Sequence, residues 1–364
     1  MLTLTTTPAQ DGYTMPGEFE PHAGTWMLWP QRLDTYRFGA VYAQRAWVTV
    51  AETIARFEPI TVGVNQAQYR RARQMLSPQV RVVEISSDDA WTRDSGPTFL
   101  INRAGGLRGV DWQFNAWGGL HGGAYFPWDK DLLVAEKILT LAGADSYTAP
   151  LILEGGSIHS DGQGTILTTE ECLLNSNRNP HLSKAEIEDY LKAYLGAQTV
   201  IWLPHGVAFD ETSGHVDNFA CFARPGEVIL AWTDDPTNPN FERVREGMAV
   251  LEQSRDAQGR TFKVHKLQLP PQLYRTAEES LEIDASVFAR HRTGDLPLAG
   301  SYVNFYLVNG GVILPVFGEE TDANAIAVLQ GVFPDREIAT VPGREILLGG
   351  GNVHCITQQQ PARG

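Results

Sequence analysis

The segment Gly349-Gly350-Gly351-Asn352-Val353-His354-Cys355-Ile356-Thr357 lies almost at the end of the chain. Its three glycines follow an apolar run at 345–348 that reads as a strand, and a cysteine comes soon after them. Glycine reaches backbone conformations closed to other residues and lets a ligand approach the main chain. The segment therefore reads as a bend that presents a thiol, with Cys355 as candidate nucleophile. A turn followed by a small buried residue would be written with the same letters, since free cysteine is among the most buried residue types. The remainder of the chain has to separate the two readings.

With 364 residues the chain fits two domains or one large α/β unit. No linker divides it, because prolines and glycines are spread along the whole length. A hydrophobic fraction of 43% and a charged fraction of 20% describe a globular chain with ample core material. The formal net charge of −14 argues against nucleic acid or an anionic membrane as partner, since both demand clustered Lys and Arg. It is compatible with a cationic substrate. Cys172, Cys221 and Cys355 are odd in number and widely spaced, which reads as a reducing compartment without a cysteine-based zinc site. Residues 1–14 lack the charged start and apolar run of a signal peptide, so a flexible tail and a cytoplasmic location are expected. No apolar stretch approaches the roughly 18 residues of a membrane span.

Outward from the glycine bend, strand and helix signals alternate. Strands are predicted at 25–29, 60–64, 80–85 and 199–203, with Pro30 ending the first. Helices are predicted at 40–57, 69–75, 131–141, 241–252 and 322–333. A further helix at 183–195 carries a capping box, Ser183 with Glu186 three residues on. Apolar segments at 151–153, 165–168 and 171–175, paired strands at 216–222 and 227–231, and strands at 262–267 and 337–340 fill the intervals. Residues 301–308 and 311–315 read as a hairpin over Asn309-Gly310. The alternation is that of an α/β architecture. A unit of helix, strand, polar bend and further strands recurs about five times, with too little identity between copies to prove a repeat.

Four polar bends carry reactive residues. At 91–97, Trp91, Arg93 and Asp94 precede Ser-Gly-Pro, where an aspartate is also ordinary turn chemistry. At 153–159, Glu154 ends an apolar run before two glycines, where a strand-capping role would look the same. At 210–219, which also holds Glu211, His215 and Asp217 are separated by one residue, so in extended backbone both face one way. A His-x-Asp pair also occurs in metal sites, but no further His or Cys is placed to complete one. The glycine run is the fourth bend. A thiolate is a good nucleophile once its pKa falls, and an imidazole transfers protons. Carboxylates repel a developing oxyanion, yet each accepts two parallel N–H bonds from a guanidinium. The combination points to guanidine chemistry rather than to a cysteine protease.

Six motifs in order then carry a resemblance: MPGEFEPHAGTWMLWP (15–30), WTRDSGPTFL (91–100), LEGGSIHSDGQGTILTTEECLLNSNRNP (153–180), GHVDNFACF (214–222), SYVNFYLVNGGVILPVFG (301–318) and GGGNVHCITQQQP (349–361). Over nearly the whole chain they resemble the agmatine deiminases, a peptidylarginine-deiminase-like family of the guanidine-modifying pentein superfamily. The resemblance implies a five-bladed pseudo-symmetric α/β propeller of ββαβ modules, a single catalytic domain over 15–364 with its site on the axis. It implies Cys355 as nucleophile, His215 as general acid and base, and Glu154 as the group orienting His215. Asp94 and Asp217 would grip the guanidinium, Trp91 would line the pocket, Gly350 and Gly351 would give the substrate room, and Glu211 would meet its far ammonium. His22, His159 and His354 would be structural hydrogen-bonding residues. The implied reaction converts agmatine to N-carbamoylputrescine and ammonia through an amidino-cysteine, with no metal or organic cofactor, in a homo-oligomer (dimer). Two alternatives stand beside it: an arginine or peptidyl-arginine deiminase, for which Arg93 is a candidate carboxylate binder, and a non-catalytic polyamine-binding propeller.

Overall fold

The computed structural model describes residues 2–363, and five of its six sheets repeat one pairing pattern. In each, a first strand pairs antiparallel with a second, and a third, reached through a helix, pairs parallel with the second. The first unit has Thr98–Ile101, Leu107–Gln113, helix Val134–Ala142 and Asp145–Ile152. The second has His159–Ser160, Thr165–Thr169, helix Lys184–Leu195 and Thr199–Leu203. The third has Ala220–Arg224, Glu227–Trp232, helix Phe241–Gln253 and Lys263–Gln268. The fourth has Tyr306–Val308, Gly311–Val316, helix Thr321–Val332 and Glu337–Pro342. The sixth sheet is the short pair Leu273–Tyr274 and Pro297–Leu298.

The fifth unit is assembled from both ends of the chain. Its first strand is Thr357–Pro361, antiparallel to His22–Leu28 with Thr357 opposite Met27. Helix Val41–Ile54 then leads to Ile60–Val64, and Arg81–Glu84 extends the sheet. Cys355 thus sits two residues ahead of a strand that has no partner except the beginning of the chain. The Asn309-Gly310 turn fastens this unit to the fourth. Asn309 exchanges two 2.9 Å hydrogen bonds with the backbone of His22, and its own N–H donates to Glu58 Oε2 at 2.8 Å. Buried Glu58 also accepts from the Thr25 hydroxyl at 2.5 Å and faces His22 Nδ1 at 3.1 Å.

The middle strands are apolar on both faces because sheet and helix cover both: every residue of Val228 to Ala231 is buried. The helices bury one stripe. In Lys184–Leu195 this is Ile187, Leu191 and Leu195, at the four-residue spacing of one helix face, and the Ser183–Glu186 capping box forms.

Several segments differ from the sequence expectation. Residues 345–348 fall in a helical turn, Arg344–Leu347, since so short an apolar run has no period to separate strand from helix. The 171–175 segment falls largely in the helical turn Glu170–Leu173, capped by the Thr169 hydroxyl. At 216–222 a 3₁₀ turn, Val216–Asn218, precedes the strand, and at 301–308 only Tyr306–Val308 is strand. Nor is the N-terminal segment the flexible tail expected over 1–14. Thr3–Leu4 adds a parallel strand beside Ser146 and Tyr147, and the Leu2 N–H donates to Asp145 Oδ1 at 2.7 Å. Met1 lies outside the described residues. Among those described, no helix is long and apolar enough to cross a membrane.

Replacing Glu58 by alanine should take the acceptor from the half-buried Asn309 N–H and leave the buried Thr25 hydroxyl with Tyr306 alone. A loss of about 3 kcal/mol in denaturant unfolding is expected, and an unchanged midpoint would mean that the junction of the fourth and fifth units does not depend on it.

Candidate active site

In all five units the bend just ahead of the first strand delivers a polar side chain to one place. These are Asp94 before Thr98–Ile101, Glu154 before His159–Ser160, and His215 with Asp217 before Ala220–Arg224. Asn304 precedes Tyr306–Val308, and Cys355 precedes Thr357–Pro361. Cys355 Sγ lies 3.5 Å from Asp217 Oδ2 and 3.2 Å from Asn304 Nδ2. His215 stands between two carboxylates, Nδ1 at 3.9 Å from Asp94 and Nε2 at 3.5 Å from Glu154. All six side chains are buried.

Each group is held from behind. Asp94 Oδ1 accepts the Gly156 N–H at 3.0 Å and Oδ2 accepts the Trp117 indole N–H at 2.8 Å. Glu154 Oε1 accepts from Arg178 Nε at 2.7 Å, and Arg178 in turn donates to the carbonyls of Trp117 and Thr212. Asp217 Oδ2 faces His354 Nδ1 at 2.9 Å. Gly156 is required by crowding: a Cβ there would stand 2.5 Å from His215 Nδ1 and 2.8 Å from Asp217 Oδ2. The same holds for Gly351, whose Cβ would lie 3.0 Å from Cys355 Sγ, and for Gly350, at φ +113° with Glu211 Oε2 2.9 Å from its Cβ position. Glu154 Oε2, Asp217 Oδ1 and both ring nitrogens of His215 are buried without a hydrogen-bond partner, Glu154 Oε2 and His215 Nε2 facing each other at 3.5 Å. Carboxylate oxygens left in this way are acceptors for N–H groups.

The electrostatics follow from burial and from which charges face each other. Burial raises Asp94 to about 6. Burial acts on Glu154 as well, but the Arg178 charge outweighs it and holds the carboxyl below its ordinary value. His215 is disfavoured as a cation by burial, yet the Asp94 carboxylate lifts it well above the usual histidine range. Burial pushes the Cys355 thiol far up, and the negative charges of Asp217 and Asp94 push it further. The site therefore holds a neutral thiol among carboxylates, and a cation placed over the sulfur is what would release its proton.

Trp91, Trp117 and Tyr125 form the apolar wall of a tight cavity of about 20 Å³ that reaches Asp94, Gly349 to Gly351 and Cys355. Glu211 is on the same wall, but it is already paired. Arg292 meets both of its oxygens at 2.9 Å, and Arg290 stands 3.2 Å away. Asp89, also on the wall, accepts from the Trp91 indole at 3.0 Å and is raised by burial to about 6. Arg93 is not part of the wall; it is buried behind the site, 3.2 Å from Glu18, which removes it as a carboxylate binder for a substrate. His22 belongs to the Glu58 junction and His159 Nδ1 accepts the Phe222 N–H at 3.3 Å, whereas His354 touches Asp217 directly.

Two corrections concern the His-x-Asp pair. The pair is not in extended backbone: His215 leads into the 3₁₀ turn, and both side chains reach the site from that turn. Nor does His215 lack further ligand types around it, since donor atoms of Glu154, Cys172 and His215 lie within 4.8 Å of one another, as do those of Glu18, His159 and His354. Each set has an arginine on its carboxylate, Arg178 and Arg93 respectively, so a cation already occupies the charge a metal would need. Asn304 went unread because 301–308 looked like unbroken strand. Its signal was positional: it precedes its strand by two residues, as Cys355 does.

Asn304 should tune the thiol. In Asn304→Ala the thiolate loses a donor, and the pH midpoint for alkylation by iodoacetamide is expected to rise by about one unit; an unmoved midpoint would leave Asn304 a purely structural residue.

A sequence profile of the Porphyromonas-type peptidyl-arginine deiminases matches residues 14–361. The chain is 57% identical to the agmatine deiminase of Pseudomonas fluorescens and 58% identical to that of Pseudomonas aeruginosa, in each case over 364 residues, 100% of this chain and 99% of the relative. A solved structure described as agmatine deiminase of Enterococcus faecalis catalyzing its reaction superposes with a TM-score of 0.98 at 47% identity and covers 100% of both chains.

Proposed function

The chain belongs to the Porphyromonas-type peptidyl-arginine deiminase family, and on that premise we propose that it hydrolyses agmatine to N-carbamoylputrescine and ammonia. The observation that carries the reading is a buried thiol with carboxylates around it: Asp217 Oδ2 lies 3.5 Å from Sγ, Asp217 Oδ1 is left without a partner, and Asp94 lines the cavity that reaches Sγ. A flat cation that donates several N–H bonds satisfies those acceptors and makes the neighbouring thiol more acidic at the same time.

Cys355 gives up its proton to solvent as the cation binds, and the thiolate attacks the guanidinium carbon while Asp94 and Asp217 hold its nitrogens. The tetrahedral adduct collapses as His215, charged in the resting site, gives its proton to the departing nitrogen, which leaves as ammonia. An amidino-cysteine remains. His215, now neutral, takes a proton from water as the oxygen attacks the same carbon, and breakage of the C–S bond returns the thiol and the urea-type product. Glu154, fixed by Arg178, keeps His215 oriented. Both halves need only proton transfers, so no metal or organic cofactor enters the scheme.

The same proposal includes the larger architecture and the assembly. The five repeated sheets are the blades of an α/β propeller, with the five bends on its axis. The unit is a single catalytic domain over 15–364, operating in the cytoplasm as a homo-oligomer (dimer). The acidic net charge supports partners other than nucleic acid or membrane. Arginine and peptidyl-arginine are the weaker substrates, because the cationic groups on the cavity wall that would meet a carboxylate are engaged by Glu211.

Ammonia release from agmatine, free arginine and a peptidyl-arginine at equal concentration tests the assignment: agmatine should be fastest, and faster arginine turnover would overturn it. In Asp217→Asn, kcat/KM for agmatine should fall about 10²-fold or more, and ordinary turnover would remove the clamp.

A further inference from the structure

Resting on this reading of Asp217 as a substrate clamp, we propose that Glu18, His354 and Asp217 form one charged relay. In it His354 is a positioning residue, an imidazolium shared by two buried carboxylates that keeps Asp217 ionised and aimed at the sulfur.

The relay runs through consecutive short contacts. His354 Nδ1 is 2.9 Å from Asp217 Oδ2, and Nε2 is 2.9 Å from each oxygen of Glu18. A neutral imidazole has one N–H and one acceptor nitrogen, whereas ionised carboxylates only accept. With oxygens at both ring nitrogens, either the ring carries two protons or one carboxyl is protonated. Arg93 decides against a protonated Glu18, for it donates to the same carboxylate at 3.2 Å, and His159 Nε2 lies 3.5 Å from it. His215 and Arg93 also exert charge on Asp217, with Asp94, Asp210, Cys355 and Cys221 close by as further titratable neighbours. The ring is thus the place for the second proton.

Asp94 supplies an internal comparison. It is as buried as Asp217 and receives two neutral N–H donors, with the His215 ring only at 3.9 Å; burial, with the charges of Asp217 and Glu154, raises it to about 6. Burial also acts against Asp217, but the hydrogen bond and charge of His354 bring that carboxyl below its ordinary value. The ring pins Oδ2 and leaves Oδ1 unpaired for the substrate. His354 is itself anchored, since its backbone N–H donates to Asn304 Oδ1 at 3.0 Å, so the residue next to the nucleophile sets the clamp that faces the nucleophile. Glu18 lies in the segment just before strand His22–Leu28, which ties the relay to the pairing of that strand with Thr357–Pro361.

Two measurements test the relay, and they fail separately from the substrate assignment. In protein labelled with ¹⁵N-histidine, the His354 ring, assigned by its loss in His354→Asn, should have both nitrogens protonated at pH 8; a neutral tautomer overturns the proposal whatever the substrate is. In kinetics, His354→Asn keeps an N–H near the Nδ1 position without the charge, and His354→Leu keeps neither. Because Asp217 would then titrate higher, clamp binding is lost at a higher pH as the solution is acidified. The acid limb of kcat/KM should move up by about one unit in His354→Asn, with KM rising more than kcat falls. His354→Leu should lose about 10²-fold in kcat/KM, so that the asparagine partly rescues it. An acid limb in His354→Asn identical to that of the parent overturns the charge role. If the variants do not fold, the His354 ring is assigned by backbone-to-side-chain correlations in uniformly labelled protein and the spectrum of the parent still decides; if agmatine is not a substrate but another guanidinium is, the same profile is read on that compound.

Discussion

The antiparallel pairing of Thr357–Pro361 with His22–Leu28 is the contact on which the rest of the site depends. It carries the end of the chain back to its beginning, and the residues just before it, His354 and Cys355, are fixed by that return. Glu18 reaches His354 across 336 positions of sequence through the same closure, and Cys355 reaches Asp217 across 138. No unit holds the thiol, the imidazole and the carboxylates together. Each contributes one bend, and the chemistry exists only where the bends converge.

Convergence concentrates negative charge in a dry place, and the structure answers each carboxylate differently. Glu154 has a guanidinium behind it, Glu18 has a guanidinium and an imidazole, Asp217 has an imidazole at 2.9 Å, and Asp94 has two neutral N–H donors with the His215 ring no nearer than 3.9 Å. The three with a close cationic partner lie below the ordinary value, and Asp94 is raised to about 6 by burial. The thiol, with carboxylates before it, stays protonated until a cation arrives. Preorganisation here consists of acceptors left unpaired in a site that a guanidinium completes.

Much of this was legible in the sequence because bends are written in residues with few other uses. Strands 60–64 and 199–203, the capping box at Ser183 and the Asn309-Gly310 hairpin stand where pattern placed them, since apolar runs and turn residues act locally. At Gly350 and Gly351 a Cβ would crowd Glu211 and Cys355, so the protein's own packing already calls for glycine there. What could not be read was set by distant partners. Asn304 sits among Tyr302, Phe305 and Tyr306 and looked like strand. His354 looked structural because its two carboxylates are far away in sequence. Glu211 looked like a free acid because Arg290 and Arg292 reach it only through the fold.

The claim at the centre is that bends from separate units make Cys355 a covalent catalyst for a guanidinium. Mass spectrometry of enzyme quenched during turnover of agmatine tests it most directly. A covalent amidino adduct on the peptide containing Cys355, rising and decaying with turnover and absent in Cys355→Ala, is the expected result; undiminished turnover in Cys355→Ala, or an adduct on another residue, would contradict it.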